Sequence, residues 1–149
     1  MSPRSAGPPE SPIHIFVDRN LASGVLLREL REAQITHDLG LEFRSHMEEF
    51  PEFDTVGELS DAQWLGEIGQ RGWLILSRDL RIRYNQAEKQ AIKDSRASFF
   101  AITAKNVSSR ELAQIILKAM KRIVGFARHH DPPFIALVYR DGKIKAVDL

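Results

Sequence analysis

Three aspartates stand where chemistry could be done. Asp18 ends the apolar run His14-Ile-Phe-Val17, Asp79 follows Trp73-Leu-Ile-Leu76 after Ser77-Arg78, and Asp61 opens a stretch with a helix-start signal. Carboxylates that converge repel one another, and their natural counter-charge is a hard divalent cation held by a few carboxylates, waters and substrate phosphate oxygens. Such an ion can orient a water, raise its acidity and stabilise charge on a phosphodiester under attack. The chemistry implied is that of a nuclease. Taken singly, each acid has an ordinary explanation: Asp61 complements a helix dipole, Asp18 makes an Asx-turn with Asn20, and Asp79 caps a turn. Their conjunction favours a site, because ligands of open α/β sheets gather just beyond the carboxyl ends of the strands.

The elements that would position these acids follow from hydrophobic patterning. Ile13 to Val17, Trp73 to Leu76 and Ser98 to Thr103 are short apolar runs without polar alternation, which predicts strands buried on both faces of a parallel sheet. Leu21 to Ala33, with Leu21, Val25, Leu26, Leu30 and Ala33 at helical spacing, predicts a helix packed on that sheet. Gly24 within it costs about 1 kcal/mol relative to Ala or marks close packing. Residues 35–59 read as an irregular, acidic connection with a weak strand near its start, broken by Pro51. Ser60-Asp-Ala-Gln63 is a helix start, with Trp64, Leu65 and Ile68 on the apolar face and Gly69 and Gly72 at its end. Tyr84 to Asp94 reads as another helix, and Ser108 with Glu111 forms a capping box before a long amphipathic helix ending ahead of Asp131-Pro-Pro133. Phe134 to Tyr139 and Lys143 to Val147 flank Asp141-Gly142, a hairpin signal. The alternation predicts an α/β domain: a three-layer α/β/α sandwich with a mainly parallel central sheet and a C-terminal β-hairpin.

Length and composition narrow the functional classes. At 149 residues the chain fits one domain, read as residues 13–149 behind a flexible Pro- and Ser-containing tail at 1–12. Cysteine is absent, which excludes disulfides and thiolate zinc, so any metal is held by oxygen or imidazole and oxygen favours Mg²⁺ or Mn²⁺. A net charge of +1 provides no global basic field, so nucleic-acid contact must be a local patch. No apolar run reaches the roughly 20 residues needed to span a bilayer, and the expected location is cytoplasmic. Arg81 and Arg83 suit a phosphate backbone and Tyr84 an unstacked base, whereas Lys89 and Lys93 read as a solvated helix face. Lys118, Lys121, Arg122 and Arg128 are likewise expected to solvate the long helix. No histidine has a zinc-ligand spacing, and Trp64 and Trp73 are expected in the core.

Phe16-Val-Asp-Arg-Asn-Leu21, Asp61-Ala-Gln-Trp-Leu65, Gly72-Trp-Leu-Ile-Leu-Ser-Arg-Asp-Leu-Arg-Ile-Arg83 and Pro133-Phe-Ile-Ala-Leu-Val-Tyr-Arg-Asp-Gly142, in that order, resemble the PIN-like nuclease domains of the VapC toxin type. The resemblance covers nearly the whole chain after the tail. It implies a metal-dependent endoribonuclease using Mg²⁺ or Mn²⁺, acting on RNA, with a cognate antitoxin protein as partner and a homodimer allowed. By resemblance Asp18, Asp61 and Asp79 hold the metal and align water, and Arg19, Asn20, Arg81 and Arg83 lie near the RNA. Glu88 falls where a related subgroup also has an acid, and Asn20 stands where some relatives have Asp. Two rivals come from other classes. A non-catalytic PIN-like module would use the same charged edge to bind RNA or protein. A phospho-acceptor receiver domain wants its acceptor Asp on a middle strand and a later Lys than Lys105.

Overall fold

The run Ile-His-Ile-Phe-Val becomes β1 (Ile13–Val17), held between two parallel neighbours, which is why its Ile15, Phe16 and Val17 are all buried. The computed structural model describes residues 12–51 and 61–149, with the side chains of Asp61 and Arg83 outside that description. After β1 come α1 (Gly24–His37), β2 (Leu41–Ser45), α2 (His46–Glu49), α3 (Asp61–Arg71) and β3 (Leu74–Ser77). A 3₁₀ turn (Leu80–Arg83), α4 (Gln86–Ser95), β4 (Ser98–Ile102), α5 (Ser109–His129), β5 (Phe134–Val138) and β6 (Ile144–Val147) follow. The strands form one sheet in the order β2-β1-β3-β4-β5-β6, parallel except for β6, which returns antiparallel to β5 as the Asp141-Gly142 signal predicted.

Alternate residues of the inner strands feed two cores, one on each face of the sheet. Ile15, Val17, Leu76, Phe100 and Val138 pack against α1 and α5. Phe16, Ile75, Phe99 and Leu137 pack against α3 and α4. Phe16, Phe99 and Phe100 are among the largest fully buried side chains, each contributing about 1.5–3 kcal/mol relative to an exposed position. The predicted α/β/α layering is therefore observed, and the three runs read as buried strands are β1, β3 and β4.

Several boundaries differ from expectation. α1 begins at Gly24, because the Ser23 hydroxyl accepts from the Leu26 amide while the amides of Leu21 and Ala22 bond back to the Asp18 carbonyl. Leu21 is buried from a turn, and Gly24 is a first-turn residue that would meet nothing within 4 Å if given a Cβ, so it marks no close packing. Tyr84 closes the 3₁₀ turn, and α4 starts at Gln86 under an Asn85 cap. Trp73 precedes β3 and stacks on His14 with centroids 4.8 Å apart. The expected Ser60 cap, residues 1–11 and residues 52–60 lie outside the described residues.

The larger correction concerns the acidic connection. Its described part is ordered as the edge strand β2 and the short α2, with a complete Ser45–Glu48 capping box. The acids are paired: Glu42 with His14, Glu48 with Arg31, and Glu49 with both Arg44 and Arg71. Burial pushes the Glu49 carboxyl up, but hydrogen bonds and charge from Arg44 and Arg71 outweigh it and hold its pKa below the ordinary value. Glu48 is held down in the same way by the Ser45 cap and Arg31 against the cost of burial. Glu49 thus ties α2 to β2 and, through Arg71, to the end of α3. His46 is a core residue, 2% exposed, with ring centroids 5.3 Å from Phe50 and 6.0 Å from Phe16.

Candidate active site

Parallel pairing of β1 with β3 brings Val17 level with Leu76, so the residues after both strands emerge side by side at the carboxyl edge. The amide of Asp18 donates to the Leu76 carbonyl at 2.9 Å, and its side chain, 8% exposed, turns into the molecule. One carboxylate oxygen accepts the Arg19 amide at 2.7 Å. The other accepts the hydroxyl of Ser77 at 3.0 Å.

Ser77 is fully buried and serves three neighbours with one oxygen. Its Oγ accepts the Asp79 amide at 3.1 Å and lies 3.2 Å from both the nitrogen and the oxygen of the Asn20 amide. The Asn20 oxygen also accepts the Arg78 amide at 3.2 Å. A hydroxyl has one proton and two acceptor lone pairs, and an ionised carboxylate can only accept. The consistent assignment is that Asn20 Nδ2 and the Asp79 amide donate to Ser77, and Ser77 donates to Asp18. Two backbone segments, 18–20 and 77–79, therefore meet on a single hydroxyl.

Asp79 caps the 3₁₀ turn. Its Oδ1 accepts the Arg81 amide at 3.1 Å and the Arg81 Nε at 3.2 Å. Among the described residues Oδ2 accepts no hydrogen bond. Asp18, Asp79 and Glu88 share a cavity of about 20 Å³ walled by Trp64, Leu65, Ile82 and Phe99. That volume holds one water or ion and excludes a nucleotide. Glu88 comes from the first turn of α4, under the Asn85 cap.

Of the residues expected at the site, Asp18 and Asp79 are brought to this cavity. Asp61 is the first residue of α3, whose next turn supplies Trp64 and Leu65 to the wall. Arg19 is exposed beside Asp18. Asn20 is engaged with Ser77 and Arg78, which is an organising role within the site. The Arg81 side chain is 86% exposed and paired with Asp79, and Arg83 ends the 3₁₀ turn. Trp64 is in the core as expected, 3% exposed, stacked at 5.3 Å on Phe16. His129 and His130 bond the carbonyls of Gly125 and Phe126 in their own helix and take no part. Sequence reasoning missed Ser77, for which no local signal exists, since its importance comes from where β1 lies.

The family comparison supplies what geometry alone does not. The model for the PIN-like domain matches residues 13–104, well over half of the chain and the whole span from β1 past β4. The chain belongs to the PIN-like domain family. This PIN-like domain is also similar to a protein of Mycobacterium tuberculosis named "Putative ribonuclease VapC45", at 26% identity over 126 residues, covering 85% of this chain and 86% of the relative. The resemblance read from the sequence motifs is thereby borne out. No solved structure matches the chain.

Loss of the Ser77 hydroxyl has a defined expected effect on the PIN-like domain. Ser77→Ala leaves the part-buried Asp79 amide without its acceptor and removes a donor from Asp18, and should destabilise the protein by about 1–2 kcal/mol in denaturant unfolding, with an unchanged m-value. A midpoint identical to that of the unaltered protein would refute the hub.

Proposed function

We propose that this PIN-like domain is a metal-dependent endoribonuclease acting as the toxin of a toxin–antitoxin pair. The observation that carries the reading is the delivery of Asp18 and Asp79 to one water-sized cavity at the carboxyl edge, beside Glu88 and the start of α3. The relative named as a ribonuclease supports the same chemistry, and its VapC name supports an antitoxin protein as partner. Among the described residues no helix is long and apolar enough to cross a membrane.

The groups available to a cation at this cavity are carboxylate oxygens, a donor set that fits Mg²⁺ or Mn²⁺ and disfavours softer metals. Among the described residues no three His, Asp or Glu side chains are gathered into a finished metal cage, so Asp61 is the natural completion. Asp18, Asp61 and Asp79 would hold the ion, which supplies Lewis acidity toward a phosphoryl oxygen and lowers the pKa of water.

The protein's own share is positional. Ser77 and the Arg19 amide each donate to one Asp18 oxygen and fix the orientation of its carboxyl group. The 3₁₀ turn fixes one Asp79 oxygen and leaves the other directed to chemistry. Because the cavity admits only a water or ion, the RNA lies outside it, with Arg19, Asn20, Arg81 and Arg83 at the phosphate backbone and Glu88 behind the attacking water. Hydrolysis adds that water to phosphorus and releases one ribose oxygen.

The test is cleavage of a mixed RNA pool by the purified protein with Mg²⁺, with Mn²⁺ and with chelator. Cutting is expected with either metal and none with chelator. A folded protein that cuts under no metal, and whose melting temperature neither ion raises, would be a non-catalytic binding module, since a ligand of the native state must stabilise it.

A further inference from the structure

A second feature of the carboxyl edge lies two strands from the carboxylates. Thr103 after β4, Tyr139 and Arg140 after β5, Lys143 on the return toward β6 and Lys118 of α5 enclose an open crevice of about 710 Å³. Three cations stand there against one acid, Asp141. Lys143 Nζ is 3.8 Å from Asp141 in a solvent-exposed pairing of little energetic weight. Among the described residues Lys118 and Arg140 have no ion-pair partner. Lys118, expected from helical patterning to be a solvated charge, is thus one wall of a concave basic surface.

The crevice is joined to the carboxylate site by Arg78. Its amide donates to Asn20 in the Ser77 network, and its guanidinium donates at 2.8 Å to the carbonyl of Ala104, a residue of the crevice. With strands ~5 Å apart, β3 and β5 are about 10 Å from each other, within the reach of a short oligonucleotide. The carboxylate cavity opens on the α3–α4 layer and the crevice on the α5 layer, so a chain joining them passes over the sheet edge at Arg78.

We propose that this crevice is a phosphate-binding subsite for single-stranded RNA, engaging backbone away from the scissile bond through Lys118, Arg140 and Lys143. The inference rests on the ribonuclease reading for its ligand. A polyanion that leaves Asp18 and Asp79 past Arg78 meets a second group of cations here, beyond the arginines beside the carboxylates. Phosphate contacts fix register without reading sequence, so the subsite sets where the strand lies and adds affinity that falls with salt.

Binding can be read without cleavage. The full-length protein is titrated in chelator against a short fluorescein-labelled oligouridylate, and the dissociation constant is followed as potassium chloride is raised. Lys118→Gln/Arg140→Gln/Lys143→Gln should weaken binding and reduce the slope of log K against log salt by about 2, near 0.7 for each lost phosphate contact. Lys93→Gln/Lys121→Gln/Arg128→Gln removes the same charge from exposed helix positions away from the crevice and should leave the slope unchanged. Equal slopes for the crevice variant and the unaltered protein, equal losses in the two triple variants, or displacement of the RNA by polyglutamate at matched charge concentration would each overturn the proposal. Because no metal is present, absence of cutting in the cleavage assay leaves this readout intact and overturns only the nuclease reading.

Discussion

Asp79→Asn loses at least about 10²-fold in single-turnover RNA cleavage at saturating metal while unfolding at nearly the same denaturant concentration as the unaltered protein. The separation of activity from stability follows from what Asp79 does in the fold. It is an N-cap, and Asn caps as well as Asp, so the bond from the Arg81 amide is retained. The pairing lost with Arg81 is to an 86% exposed side chain and contributes little to stability. What disappears is one of the three carboxyl groups at the cavity. Asp18→Asn should also abolish cleavage but cost stability as well, about 1–3 kcal/mol, because an amide has one acceptor oxygen where Asp18 uses two for Arg19 and Ser77. Full-rate cleavage by Asp79→Asn would remove Asp79 from the mechanism.

The second large effect is expected at Gly69, far from the chemistry. A Cβ added there would overlap the backbone carbonyl of Ser95, so α3 and α4 cross at a distance only glycine permits. Backbone cannot yield as a flexible side chain would, and Gly69→Ala should cost about 3 kcal/mol, or about 10 °C in melting temperature. Cleavage should fall with it, since α3 begins with Asp61 and α4 carries Glu88. Gly66, in the same helix, would meet nothing within 4 Å. Gly66→Ala should therefore stabilise by about 0.5–1 kcal/mol through helix propensity. Thermal denaturation of the two variants checks both signs, and equal shifts would mean that the α3–α4 approach is not limiting.

Gly69 also marks the boundary of what the sequence made legible. As one of a pair of glycines after an apolar helix face it reads as a stop signal, and the close approach to Ser95 exists only once α4 is docked. The buried strands were readable because both of their faces are apolar, and the Ser108 cap because its partner is three residues on: Ser108 Oγ accepts the Glu111 amide at 3.1 Å, while the Glu111 carboxylate meets the Ser108 hydroxyl and leaves the reciprocal half of the box unformed. β2 was blurred because an edge strand alternates: Leu41 and Phe43 face the core while Glu42 and Arg44 face outward. The Ser45-His-Met-Glu48 capping box was a usable signal there, overshadowed by the acidic character of the surrounding segment. Of the site, Asp18 and Asp79 were legible as acids after buried strands. Ser77 was not, and Asn20 was read as a residue near the RNA without its organising role, because the bonds that join the two across the site span 57 or more residues along the chain.

The saturation of Ser77 has a mechanical consequence. With its proton committed to Asp18 and both lone pairs occupied, the hydroxyl has no spare valence through which neighbours could exchange partners one at a time. The 18–20 loop and the 77–79 turn are consequently locked as one body, and a fluctuation that displaces either must break several bonds at once. On the ribonuclease reading, this edge would present its substrate with a stiff seat.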